Sequence, residues 1–487
     1  MFKFKTRPYA HQLEAFKKTA AQKNWALFMD MGTGKSKVII DTLAWLSVKK
    51  YIRGALIVAP KGVYMNWIDQ ELPTHFPDLE RPPLIHYWTA GATVAQRRVQ
   101  DAFTAKRPVQ DKRLKIMVMN VEAFSGGSGE TYAKSFLQAN GPAAFIIDES
   151  TTIKNHKSKR TKAILKLAPF AEYKRILSGN PSPNGPLDLF SQGWFLDPKL
   201  LGMKSWYEYR NRFCLLKVQH MGPRSFQVVT GYRNLDELGD KLSHFSTRVR
   251  KDECLDLPPK IYQIREVELT AEQRLAYKDM KRDAYVELDG MGTVTATAVI
   301  TKMLRLHQIV MGRIPLDEEG GMINLPSHRM DALMDTVAEV QDPKVIIWAN
   351  YRPDIMGIQA ALAAAYGKES VVSYWGDTSR AQRPEVIKQF QDAQSPVRFI
   401  VGNAMVGGWG VNLSRSHTSI YFSNDYNLDK RMQSEARPDR IGQEADHILY
   451  IDLIAKGTVD EKIVRALRDK LDISSAVLKD NWREWLV

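Results

Sequence analysis

Three groups of residues in this sequence have the types and spacing for chemistry, and they lie far apart along the chain. The first is Gly32, Thr33, Gly34, Lys35 and Ser36, in the stretch MDMGTGKSK. A glycine-rich turn lets successive backbone N–H groups converge on phosphate oxygens, and a helix starting there adds the positive end of its dipole. Lysine at this position reaches the terminal phosphates of a nucleoside triphosphate, and the adjacent serine hydroxyl is a ligand for Mg²⁺. Met29 stands where the longer form of this loop has its first glycine. The second group is Asp148 and Glu149, which close the apolar run in AAFIIDES. A carboxylate so placed holds Mg²⁺ directly or through water, and its neighbour polarises an attacking water. Together with the phosphate loop, the pair points to nucleotide hydrolysis. The third group is Arg437 and Arg440 in SEARPDRIGQ. A guanidinium keeps its proton and its planar fork suits phosphate oxygens, so a phosphate is one candidate partner; a solvated surface shared with Glu435 and Asp439 is the other.

These groups need elements to carry them. WALFMD, GALIVAP, KIMVMN, AAFIIDES and YKRILSGNP are short apolar runs ending in Gly, Pro, Asn or Asp. Such runs predict fully buried parallel strands with functional loops at their carboxyl ends. The rhythm returns in KVIIWANY, SVVSYWG, VRFIVGN, TSIYFSN and HILYIDLI. An α/β protein with two parallel-sheet lobes is therefore expected, divided into 1–245 and 246–487. Between the two sets, over 186–329, strand signals thin out and helical ones dominate. There AEQRLAYKDMKRDAYVELDG predicts a helix stopping at Gly290.

Composition narrows the partners. A net charge of +14 in 487 residues favours an anionic partner such as nucleic acid. With two cysteines, Cys214 and Cys254, neither a four-cysteine zinc site nor a disulfide framework is possible, and a reducing compartment is expected. The sequence has no run of 18 apolar residues and MFKFKTRPYAHQ has no apolar core, so neither a membrane span nor a signal peptide is expected. His307 has no metal partner at ligand spacing and is expected as an ordinary core or surface histidine. The run KSKRTK, Lys157–Lys162, suits phosphate contacts and a solvated helix face equally well.

In their order along the chain, these segments resemble helicase superfamily two and, more narrowly, the Swi/Snf-type DNA-dependent ATPases. RPYAHQ, Arg7–Gln12, is similar to that family's adenine-recognition segment, which implies a base contact for Gln12. LIVAPKGVYMNW, Leu56–Trp67, is similar to a segment touching the nucleic-acid backbone. The resemblance thus implies nucleic-acid contacts by Lys61 and Trp67, with Asn120 and Asn403 further along. LSGNPSPN resembles the segment coupling hydrolysis to movement, and VGGWGVN supplies Gly408 and Gly410 as glycines beside the ligand. Thr151 stands where the family more often has His, and GNAMVGG lacks the Ser-Thr that commonly precedes its double glycine.

The resemblance implies two RecA-like lobes with helical insertions between them, using ATP and Mg²⁺ on double-stranded DNA, with forked or single-stranded DNA as alternatives. Arg437 and Arg440 would complete the γ-phosphate site from the second lobe. It further implies a monomeric double-stranded DNA translocase of replication, repair or recombination, in the cytoplasm of a bacterial or virus-infected cell. A strand-separating DNA or RNA helicase is the alternative enzyme, and an inactive nucleic-acid-binding scaffold the alternative outside enzymes.

Overall fold

The computed structural model describes residues 2–105, 111, 113–221, 224–290, 296–315, 321–379, 381–404, 411–440 and 442–478. The chain divides into two compact units, one of residues 1–215, 230–256 and 470–487 and the other of 216–229 and 257–469.

In the first unit, strands β1 (Asn24–Met29), β2 (Gly54–Ala59), β3 (Leu84–Tyr87), β4 (Lys115–Asn120), β5 (Ala143–Ile147) and β6 (Tyr173–Ser178) join a later strand in one sheet. That strand, Ser246–Val249, becomes β9 once the paired strands β7 (Cys214–Met221) and β8 (Arg224–Tyr232) are counted. The sheet order is β3-β4-β2-β5-β6-β1-β9, and every pairing is parallel. Alternate side chains of each strand go to opposite faces, as the two-residue period requires. Phe28, Val58, Met119 and Phe145 pack on one face with helices Gly127–Ala139 and Lys159–Leu167. Leu27, Ile57, Val118 and Ile146 pack on the other with helices Ala10–Thr19 and Lys35–Val48. A sheet covered on both faces explains why its strands read as continuous apolar runs instead of alternating ones.

The second unit holds β10 (Lys260–Glu266), the antiparallel pair β11 (Arg313–Pro315) and β12 (Met322–Asn324), then β13 (Val345–Trp348), β14 (Val371–Tyr374), β15 (Phe399–Gly402), β16 (Thr418–Tyr421) and β17 (Ile448–Ile454). Its main sheet runs β10-β17-β16-β13-β15-β14, again wholly parallel. The two expected parallel sheets are thus present. The expected helical middle is more mixed than the sequence suggests: the helix at Ala271–Gly290 is there, but β7 to β12 all fall within 186–329. β9 lies beyond residue 245 yet belongs to the first sheet.

A buried charge cluster ties the second unit together. Arg329 is paired with Asp460 and donates to the carbonyl oxygens of Phe422, at the end of β16, and of Leu453 in β17 at 3.0 Å. His307 is buried too, as expected of a core histidine, with Nδ1 2.7 Å from the Tyr351 hydroxyl and Nε2 3.2 Å from Asp460. Burial alone pushes the Asp460 carboxyl up, but Arg329 and His307 outweigh it and hold its pKa down at about 2. A carboxylate depressed below its unfolded value of about 3.9 stabilises the fold above that pH and loses the contribution as pH falls toward 2. Asp460→Asn is expected to cost about 3–5 kcal/mol, because Arg329 stays buried without its counter-charge. Urea unfolding at neutral pH measures that loss, and the gap between wild type and variant narrows as the solution is acidified.

Candidate active site

The phosphate loop is the connection from β1 to helix Lys35–Val48. Gly32 and Gly34 both have φ of +85°, the left-handed region that glycine enters without a Cβ penalty. Gly34 is held for a second reason: a Cβ there would lie 2.2 Å from Nε2 of Gln12. That amide donates to the Thr33 carbonyl at 3.1 Å, while Gln12 Oε1 accepts from the Tyr9 N–H at 3.0 Å. His11 Nε2 also approaches the Thr33 carbonyl, at 2.8 Å. The side chain expected to read the base is therefore engaged with the loop itself. The Thr33 hydroxyl and amide both donate to the Asp30 carbonyl, at 2.7 and 3.3 Å, closing the turn.

Lys35 is the first residue of its helix, with Nζ 2.8 Å from the Met29 carbonyl and 3.2 Å from that of Asp30. Burial lowers its pKa below the ordinary lysine range, while Glu149, Asp148 and Asp30 oppose the shift. Three carboxylates thus act on one ammonium, and two of them directly follow β5. The strand order explains the meeting: β6 alone separates β5 from β1, so the acid pair and the phosphate loop leave the same carboxyl edge. Ser36 is half-buried, one residue into the helix.

Asp148 is half-buried and accepts two hydrogen bonds, from the Trp67 indole Nε1 to Oδ2 at 2.9 Å and from the Glu149 N–H to Oδ1 at 3.0 Å. Burial raises its pKa above the usual carboxylate range, and the Trp67 donor, Lys35 and the Glu149 amide work against that rise. Glu149 takes φ +49°, a left-handed conformation that costs a residue with a Cβ on the order of 1–3 kcal/mol and is typical of functional sites. The next residues, Ser150–Ile153, form a short 3₁₀ helix, and the Ser150 hydroxyl donates to Gln192 at 2.6 Å.

Trp67 requires a correction. It is 2% exposed, in a one-turn π-helix Trp67–Glu71, so its ring is out of reach of nucleic acid and its single donor serves the acid pair. Trp67→Phe is expected to remove the donor to the Asp148 oxygen and to leave a small cavity, at a cost of about 1–3 kcal/mol or more in urea unfolding.

The other expected nucleic-acid residues divide. Lys61 is exposed just beyond β2. The Asn120 side chain accepts from the Ala123 N–H at 2.9 Å and caps a short helix. The Asn403 amide donates to the carbonyls of Ala349 and Asn350, at 3.3 and 3.1 Å. Gly408 and Gly410 lie outside the described residues.

In the second unit, helix Leu428–Glu435 ends before the arginine pair, so Arg437 and Arg440 both stand in the turns that follow. The helix is anchored by Arg431, whose guanidinium covers the Tyr421 ring at 3.5 Å and pairs with Asp452 and Glu435. Arg437 is 4% exposed and donates to the carbonyls of Gln433, at 2.8 Å, and Val411, at 3.2 Å. Arg440 is half-buried, with Nε donating to Ala436 at 3.1 Å. Asp439 between them is buried and paired at 2.9 Å with Lys260, the first residue of β10.

Two contributors were not singled out from sequence. Asp30 receives Arg248 Nη1 at 2.8 Å and the Lys251 N–H at 3.0 Å, fixing the loop to β9 and to the chain just after it. Arg248 also donates to the Gly179 carbonyl at 3.3 Å, in the SGN segment that follows β6. Asp30 was visible inside MDMGTGKSK, but its partner lies 218 residues away. Among the described residues no cluster of three or more His, Cys, Asp or Glu is placed to hold a metal by itself. Ser36 and Asp148 are oxygen donors of the kind that suits Mg²⁺ shared with substrate phosphates.

This sheet edge belongs to a recognisable class. The sequence model of the SNF2-related domain matches residues 12–312, and that of the helicase conserved C-terminal domain matches 328–442. The chain belongs to the SNF2-related family, the Swi/Snf-type ATPases of helicase superfamily two. It is 26% identical over 483 residues to a Bacillus subtilis protein described as an ATP-dependent helicase/translocase, YwqA, covering 94% of this chain and 48% of that one. It is 23% identical over 497 residues to protein p41 of Acyrthosiphon pisum secondary endosymbiont phage 1, with 98% of both chains covered. A solved Sulfolobus solfataricus SWI2/SNF2 ATPase core in complex with dsDNA shares 23% identity at a TM-score of 0.43, over 100% of this chain and 96% of that one. The chain spans about half the length of the Bacillus relative. Among the described residues, no helix is long and apolar enough to cross a membrane.

Proposed function

We propose that the chain is an ATP-dependent translocase on double-stranded DNA, serving replication, repair or recombination. One observation carries the reading most: Lys35 and the pair Asp148–Glu149 meet at one carboxyl sheet edge, around a loop bent for phosphate. In this reading the N–H groups of 32–36 and the Lys35 ammonium bind the β and γ phosphates. Ser36 and Asp148 would hold Mg²⁺, which would supply positive charge against the charge developing on the transferred phosphoryl group. Glu149 orients the attacking water from a left-handed backbone just past β5. Arg437 and Arg440 are the proposed cations of the second unit for the same developing charge.

The net charge of +14 and the exposed Lys61 support a nucleic-acid partner held through its backbone, with little sequence preference. ATP hydrolysis measured side by side with duplex DNA, single-stranded DNA and RNA tests the reading. Duplex is expected to stimulate most. Equal stimulation by all three, together with displacement of a labelled strand, would move the assignment to a strand-separating helicase.

A further inference from the structure

Away from the phosphate loop, the first unit brings cations and aromatic rings together in a cluster the proposed motor chemistry does not use. The Trp206 ring stacks on the His156 imidazole, centroids 4.3 Å apart and planes 22° apart. His156 in turn meets the buried Phe190 edge-on at 6.4 Å, which fixes the stack to the core. The Lys157 ammonium lies 6.0 Å from the Trp206 centroid and the Arg210 guanidinium 5.2 Å from it. Tyr207 meets Trp206 edge-on at 5.3 Å, carries Arg210 over its ring at 5.7 Å, and is 63% exposed. It is the outermost ring of the group.

The charge continues along helix Lys159–Leu167. Its core face is Thr161, Ala163, Ile164 and Leu167, so Lys159 and Lys162, three residues apart, share the exposed face. The pKa of His156 lies below the ordinary histidine range, through burial first and then through Lys157 and Lys162, which both act on the imidazole. Of the acids nearby, Glu130 lies 4.0 Å from Lys166, and Glu208 accepts from the Lys204 backbone N–H at 2.8 Å.

Lys157 touches the ring cluster through Trp206 and leads into the exposed Lys159 and Lys162, and ammonium groups leading from an exposed, cation-flanked ring match phosphates spaced along a strand together with a base face. A duplex hides its base faces, so only an unpaired strand satisfies both halves. We propose that Lys157, Lys159, Lys162 and Tyr207 form a second nucleic-acid site that binds a single strand, phosphates on the lysines and one base stacked on the tyrosine. An acidic peptide would match the lysines but leave Tyr207 without a partner. The inference borrows from the proposed function only the class of partner.

The test is fluorescence anisotropy of a labelled oligothymidylate of about 20 nucleotides on the full chain, without nucleotide, over a salt series. Lys157→Ala/Lys159→Ala/Lys162→Ala should lower the slope of log affinity against log salt by about 2, three contacts at about 0.7 each for a single strand. Tyr207→Ala should weaken binding about 10-fold with the slope unchanged, and Tyr207→Phe should restore it. Unchanged melting midpoints verify folding. Wild-type affinity and slope in both variants overturn the site, as does an equal loss on blunt duplex for Tyr207→Ala. Polyglutamate that competes on wild type but not on the triple variant, with Tyr207→Ala silent, reassigns the patch to protein and overturns it too. Duplex-stimulated ATP turnover is a separate readout, so failure of the motor reading is told apart from failure of this one.

Discussion

Lys35→Ala is expected to reduce ATP turnover by at least about 10²–10³-fold while leaving most of the affinity for DNA. The figure follows from removing one preorganised charge aimed at a site of developing negative charge. The carbonyls of Met29 and Asp30 hold the Lys35 ammonium at the loop, and the carboxylates of Glu149, Asp148 and Asp30 oppose the downward pull of burial on its pKa, so the charge is kept where the phosphates would arrive. In the proposed function DNA is held through many backbone contacts, which this change would not touch. Because the ammonium also braces the loop through those carbonyls, a melting curve of the variant separates lost chemistry from lost structure. Lys35→Arg provides a sharper control: it keeps the charge but brings a wide planar fork into a turn built around Gly32 and Gly34, and it should not rescue turnover. Turnover near the wild-type rate in Lys35→Ala would remove the phosphate-loop assignment.

What was legible in the sequence was whatever a local period or a local motif encodes. WALFMD, GALIVAP and KVIIWANY are strands because a sheet covered on both faces needs uninterrupted apolar runs, and such runs are visible in one dimension. β9 and β10 were not legible. The first is only Ser-Thr-Arg-Val, and the second, Lys-Ile-Tyr-Gln-Ile-Arg-Glu, is largely exposed at the sheet margin. Each is a strand because a neighbour supplies its ladder, β1 for one and β17 for the other. The same division runs through the site. Gly32 to Ser36 and the acid pair announce themselves by spacing. The Trp67 donor to Asp148 spans 81 residues and the Arg248 grip on Asp30 spans 218, and no local pattern marks either. Sequence thus gives the groups that would touch substrate, whereas the groups that hold them in place emerge only from the packing.

The arginine pair is where that distinction yields the second large effect. Arg440→Ala is expected to lower kcat by about 10³–10⁵-fold with little change in nucleotide affinity, the behaviour of a cation that stabilises charge only in the transition state. Arg437→Ala should differ, because the two guanidiniums live differently. Arg437 is buried against the carbonyls of Gln433 and Val411, so its removal leaves polar groups in the interior short of a donor and costs about 1–3 kcal/mol of stability as well as rate. Arg440 is only half-buried, and its loss should barely move the melting midpoint. Between them, Asp439 is neutralised by Lys260, so the acid does not cancel the charge its neighbours are to deliver. Steady-state kinetics and thermal unfolding on the two variants decide the matter together. A fall in kcat without a stability loss for Arg440→Ala, against a joint loss for Arg437→Ala, makes the first a cation that acts on the phosphate alone and the second one that also shapes the turn presenting it. A rise in KM alone for Arg440→Ala would confine it to binding.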